Sequence, residues 1–323
     1  TIESHSQTSN RTIDTRSIQT RGVDGRMEPY QDIEREAVLV DGSTMRTTTR
    51  AFARDVNKAK TLVQVTEEEE HTLPNGYSKI VRLTSNPDLS GRPQPVQREI
   101  VETKRIGVDV EETDTTVMLP SINGGLAPAF KTHEVRKRVA NNTVESTKTT
   151  LLLDGAGHWQ VNEVRQATIR QEGTNRTTEE RVSRLDAEGK LGEISRVVNK
   201  ESESASGEKR NTVETYSVDV PGTTPDGSLH LVERTTSTQH SSSTGKQVTE
   251  EQVEKLNPGD PASGLHVSIL TSEGVRSGPS GEQATRTISM RQSDGSVVVV
   301  SVQTTTSDKP HAIQGQQTSA EKP

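Results

Sequence analysis

The sequence has no cysteine, one tryptophan, two phenylalanines and three tyrosines in 323 residues. Without thiols there are no disulfides, no zinc–thiolate centres and no cysteine nucleophile. Hydrophobic residues make up only 27% of the chain and the mean hydropathy is -0.77. Ordering a backbone costs about 1–2 kcal/mol per residue, and burial returns about 25 cal/mol per Å2. So few large apolar side chains cannot fill a compact core for this length, which leaves disorder or an extended fold. No apolar run approaches the ~18 residues of a membrane span. Neither sign of charge dominates: 39 Lys+Arg face 46 Asp+Glu, for a net charge of -7. That balance argues against a nucleic-acid or anionic-membrane partner.

What the chain has is Thr, Val and Ile, the residues that suit a pleated surface, punctuated by turn signals. Asp-Gly and Asn-Gly pairs supply the positive φ that tight hairpins need. One series of turns has apolar flanks: Asp41-Gly42, Asn75-Gly76, Asn123-Gly124-Gly125, Asp154 to Gly157, Asp186 to Gly189, Asp226-Gly227, Ser263-Gly264 and Asp294-Gly295. A second has polar flanks, at Gly91, Asn141-Asn142, Gly173, Gly207, Gly245 and Gly281. The last four of these lie 34, 38 and 36 residues apart, and Gly157, Gly189, Gly227, Gly264 and Gly295 lie 32, 38, 37 and 31 apart. Two markers sharing a period of ~35 predict an all-β repeat of long antiparallel hairpins, a meander or ribbon-like sheet with a narrow apolar belt. At about 3.3 Å per residue, strands of roughly 15 residues would reach about 50 Å.

Five segments follow from this pattern. Residues 1–35 alternate (Thr12-Ile13, Ser17-Ile18), with a weak turn at Asp24-Gly25 and no clear repeat partner, and are a donor-strand candidate. Residues 36–118 hold the first hairpins, interrupted at Gly107, with a loop over 86–95 because its three prolines exclude a central strand. Residues 119–131, with Pro120, Gly124, Gly125 and Pro128, read as an irregular loop, and 49 residues separate Gly76 from Gly125 there. Residues 132–306 are the most regular hairpins, and 307–323 form a polar tail. Residues 248–256 carry a faint helical spacing, but their place in the repeat makes them a return strand.

No catalytic, cofactor or metal site emerges. The eight histidines show no metal-ligand spacing, and His158, His230 and His266 occupy similar places after turns, as repeat equivalents. Asp109, Glu111, Glu112 and Asp114 lack the loop glycine and full ligand set of a calcium loop and read as solvated strand charge. Glu67 to Glu70 reads the same way. No Gly-x-Ser-x-Gly elbow, P-loop or dinucleotide glycine pattern occurs. Trp159 is a belt anchor or, failing that, a carbohydrate-stacking residue. The sequons at Asn10, Asn141 and Asn175 are expected by chance in a Thr-rich chain. The turn Asp186-Ala187-Glu188-Gly189-Lys190-Leu191 resembles that of bacterial Rhs/YD-type surface repeats. Their tyrosines are missing here, and the resemblance implies neither their fold nor their function.

The expected function is therefore structural and non-enzymatic: a secreted subunit of an extracellular filament or matrix fibre. Copies of the chain would join by β-strand edge pairing or strand exchange, with no cofactor and no nucleic acid. The start at Thr1, without a signal-like segment, matches a mature secreted protein. The alternative is an elongated cell-surface adhesin with a polysaccharide partner.

Overall fold

A computed structural model describes residues 2–21, 26–54, 59–186, 188–220, 227–241, 246–257, 259–278, 281–292 and 294–308. Nineteen antiparallel strands follow one another as a meander, with one 3-10 turn at Pro261–Ser263. They divide into two compact units, residues 1–167 with 182–192 and residues 168–181 with 193–323.

In the first unit β1 (Ile2–Gln7), β2 (Arg11–Arg21), β3 (Met27–Leu39), β4 (Thr44–Arg54) and β5 (Lys60–Thr72) pair in chain order. The series continues through β6 (Tyr77–Pro87), β7 (Pro93–Ile106), β8 (Val110–Pro120), β9 (Leu126–Ala140) and β10 (Thr143–Leu153). Strands β11 (Trp159–Glu172), β12 (Asn175–Leu185) and β13 (Leu191–Glu203) contribute residues to both units. In the second unit β13, β14 (Lys209–Ser217), β15 (His230–Ser241), β16 (Gln247–Leu256), β17 (Leu265–Gly278), β18 (Gly281–Arg291) and β19 (Val297–Asp308) pair in order. Residues 248–256 are indeed a strand, within β16.

The repeat is tighter than the glycines suggest. Strands β2, β4, β6, β8 and β10 begin at Arg11, Thr44, Tyr77, Val110 and Thr143, and β3, β5, β7, β9 and β11 begin at Met27, Lys60, Pro93, Leu126 and Trp159. Every interval is 33 residues. The most regular half is thus the N-terminal one. The described residues before 36 do have repeat partners: 2–7, 11–21 and 27–35 form β1, β2 and the start of β3, laddered into their own chain. Gly107 marks a full turn between β7 and β8. The wide spacing from Gly76 to Gly125 arises because these glycines belong to turns at opposite ends of the strands. Apolar residues flank both kinds of turn, so apolarity could not tell the ends apart.

Two expected loops are strand instead. Residues 119–131 contain only a five-residue turn, 121–125, between the end of β8 and the start of β9. Residues 86–95 likewise hold the end of β6 and the start of β7 around the turn 88–92. The prolines are tolerated because of bulges. In β2–β3 the register runs Ile18 to Gln31 and then Gln19 to Pro29, leaving Tyr30 unopposed. The same break leaves Val63, Val96 and Ala129 unopposed in β5, β7 and β9, again 33 apart. Val232, Ser268 and Val300 do so in β15, β17 and β19. A bulge interrupts the ladder locally and raises the twist, so Pro29, Pro95 and Pro128, each just before a bulged residue, fit where a central-strand proline would not. Pro87 and Pro93 face each other at the strand ends.

Turns repeat as well. At 88–92, 121–125 and 154–158 the first residue's N–H donates to the fifth residue's carbonyl at 2.8, 3.0 and 2.9 Å. The fourth residue, Gly91, Gly124 or Gly157, has φ of 79°, 82° or 84° and donates back to the first carbonyl. Asp88 and Asp154 close their loops by accepting N–H bonds from residues two and four further on. The turn residues Asp24-Gly25, Asp226 and Gly245, and tail residues 309–323, lie outside the described residues.

Neither unit has an enclosed core. Ala37, Val117 and Val220 are the buried hydrophobic residues among those described, and no large side chain is fully enclosed. Beyond ladder neighbours, only β7 with β9 and β15 with β17 come substantially close among the described residues. Ladder bonds and cross-strand pairs carry this fold. Directly opposite partners include Arg46 with Glu69 (2.9 Å), Lys79 with Glu102 (2.8 Å), Lys255 with Glu233 (2.9 Å) and Thr103 with Thr113 (3.2 Å). The triplets Glu68–Arg82–Glu99 and Glu214–Arg234–Glu254 each span three strands.

Acid should loosen this framework. At Asp41 the Ser43 N–H and hydroxyl, at 2.8 and 2.9 Å, hold the carboxyl down to about 2. The carboxyls of Asp88, Asp154 and Asp294 are lowered by comparable turn hydrogen bonds. A depressed carboxyl stabilises the folded chain above its unfolded pKa near 4, and that contribution is lost as pH falls to the folded value. Urea midpoints should therefore drop between pH 4 and 2, and Asp41→Asn, which keeps an acceptor but cannot titrate, should shallow the drop. An unchanged pH profile in that variant would rule out Asp41 as a contributor.

Candidate functional site

The residues singled out by type do not converge. His158 sits beside Asp154 at 3.5 Å within its turn, and His266, in β17, bonds Ser263 of the preceding 3-10 turn at 2.7 Å. His230 opens β15 and, like His266 in β17, lies two residues before its strand's bulge, whereas His158 lies in the turn before β11. Glu111 pairs with Arg105 at 3.2 Å and Asp114 with His133 at 2.8 Å, while Glu111 and Glu112, adjacent on β8, point to opposite faces. Of the four glutamates from 67 to 70, Glu68 pairs with Arg82 and Glu69 with Arg46. Among the described residues no group of three potential ligands is placed to hold a metal ion, and no helix is long and apolar enough to cross a membrane.

Trp159 opens β11, half-buried, with the Lys131 ammonium 4.7 Å from the centre of its ring. Exposed Leu119, Ile122, Leu152, Leu153, Leu185 and Leu191 belong to the same unit and flank turns at the same end of the strands, so the anticipated apolar strip is present but uncovered. A second set, Leu39, Val40, Leu73, Ile106 and Val108, flanks the opposite turns.

The remaining distinctive features are the outer strands. Among the described residues β1 ladders only with β2, and β19 only with β18. Unpaired strand edges recruit other strands unless shortened or charged. Strand β1 is blunted in both ways: it has six residues, and its Glu3 and His5 engage Arg16 and Asp14 of β2 at 3.4 and 2.6 Å. Strand β19 has twelve residues and reads VVVVSVQTTTSD, with no charge or proline from Val297 to Thr306. Val299 and Val302 are 60% and 61% exposed. The sequence signal for this edge was visible in the valine run, but its position as an outer strand depends on the pairing of the whole meander. No protein-family model matches the chain, and no curated protein is significantly similar to it.

Proposed function

We propose that the chain is a structural subunit of an extracellular fibre or matrix and assembles with copies of itself through the edges of its sheet. The observation that carries this reading is a hairpin sheet with both faces open to solvent and a long, uncharged edge in β19. A single-layer sheet gains no core from a ligand pocket or a lid. What it offers to a partner is backbone donors and acceptors in register, which is how strand addition gives affinity. The donor-strand form of the idea is set aside: residues 12–17 and 31–35 ladder on both sides within the chain, and β1 is short and carries charge.

Negative-stain electron microscopy and sedimentation across a concentration series test the reading. Fibres or a ladder of oligomers that grows with concentration are expected. One species of monomer mass at every concentration would overturn it and favour the surface adhesin with a polysaccharide partner.

A further inference from the structure

We infer that β19 is an assembly edge whose partner is β19 of a second copy of this chain, joined antiparallel about a two-fold axis; this rests on the fibre reading above. Inner strands show which part of such an edge is usable. Each bulged strand ladders with its successor only beyond the bulge. Thus β3 begins that ladder at Gln31, β5 at Val65, β7 at Arg98, β15 at Glu233 and β17 at Ile269, each one or two residues past its bulge. In β19 the bulge is Val300, so the free ladder begins at Ser301.

Two copies sharing this stretch can pair with each residue facing another on the same side of the sheet. A two-fold axis perpendicular to an antiparallel pair keeps the faces, so partners must have positions of equal parity. Centring on Thr304 sets Val302 against Thr306 and Gln303 against Thr305 of the second copy, with Thr304 opposite its own counterpart. No charge falls among these pairs. Like charges opposite one another destabilise a ladder, whereas Thr and β-branched pairs support it. Strand β1 of a second copy is the poorer occupant, because it is short and carries Glu3 and His5. The pairing also covers an uncharged strand edge of the kind that soluble monomers avoid leaving bare.

Thr304 is exposed, so substitutions there should leave the fold intact, which circular dichroism checks. Wild-type chain should sediment at twice its 35.2 kDa or as larger multiples of that dimer. Thr304→Lys and Thr304→Glu should each reduce pairing strongly, by placing like charges face to face, and an equal mixture of the two should restore it. Thr304→Cys, the only thiol in the chain, should form a disulfide-linked dimer on mild oxidation, because directly opposite residues have the Cα separation a disulfide needs. If both charged variants form the same fibres as wild type, this inference is overturned while the fibre reading stands. If each variant abolishes pairing and the mixture does not restore it, the two-fold geometry is wrong and a β19–β1 contact takes its place. If wild-type chain stays monomeric, with its edge bare or covered by residues 309–323, both fall together.

Discussion

Excising residues 77–109 should yield a chain that still folds, with two strands fewer and a thermal midpoint within roughly 5 °C of the parent, as expected when stability sums over near-neighbour repeats. The cut removes β6, β7 and the turn after them, one whole 33-residue period. Gly76 then leads directly to Val110, which replaces Tyr77 one period earlier. Strand β8 takes the place of β6 against β5, and Thr113, Thr115 and Thr116 face Glu70, Glu68 and Glu67, taking the places of Ile80, Arg82 and Leu83. His71 gains Glu112 as its opposite neighbour, while Glu69 meets Asp114. That last like-charge pair costs about 0.2–1 kcal/mol, comparable to what one favourable pair contributes. Excising residues 77–92 instead removes one strand and one turn, and should abolish cooperative unfolding. Pro93 would then stand where Tyr77 donates its N–H to Asn75 at 3.1 Å, and proline has no N–H to give. The Val96 bulge would move to the opposite end of the strands, and every later hairpin would be turned end for end. Thermal melts by circular dichroism separate the two cases. Indistinguishable melts for the two deletions would show that the hairpin pair is not the folding unit.

This contrast shows what the amino-acid order reveals and what it hides. Turn glycines such as Gly157 and Gly189 announce themselves, because only a residue without a Cβ sits easily at φ of 84° or 80°. They report that a turn exists, not at which end of the sheet it lies. Leu39 and Val40 flank one end as plainly as Leu152 and Leu153 flank the other, so apolar flanks mix the two series of turns in the N-terminal half. The bulge is harder still to see. Tyr30, Val63, Val96 and Ala129 share a backbone role but no side-chain chemistry, so nothing in their identities marks a 33-residue period. Prolines 95 and 128 suggest loops by a rule that holds for unbroken ladders and fails beside a bulge. The outer edge was half legible. The run Val297 to Val300 stands out in a polar chain, yet an edge strand differs from a central one by what pairs with it, which is a property of the whole meander. The charge ladders are similarly hidden, since Glu68, Arg82 and Glu99 meet only once three registers are fixed.

Replacing Arg82 with glutamate should lower stability by about 2 kcal/mol, a large change for an exposed-sheet residue, since each cross-strand ion pair contributes roughly 0.2–1 kcal/mol and like charges cost a similar amount. Arg82 stands directly between Glu68 and Glu99, at 2.6 and 2.5 Å. Both glutamates are less exposed than the arginine, at 24% and 22% against 39%, so water compensates them less if the cation is lost. In the wild type, hydrogen bonds to Glu68 and then the two carboxylate charges raise the guanidinium's pKa, although desolvation works against that rise. The Arg82→Glu variant would hold three carboxylates in one row, so each would raise the pKa of the others. Protonation then relieves repulsion that the unfolded chain does not feel. Stability of the variant relative to wild type should therefore recover as pH falls from 6 to 4, and added salt should narrow the gap by screening. Arg82→Met should cost about half as much and show a weaker dependence on both pH and salt, because it removes the attraction without adding the repulsion of a third carboxylate. The equivalent change at Arg234, between Glu214 and Glu254 in the second unit, should behave alike. Urea midpoints at two pH values and two salt concentrations decide the matter. A glutamate variant no less stable than the methionine one would mean that these rows are solvated and that the backbone ladders hold the strands without them.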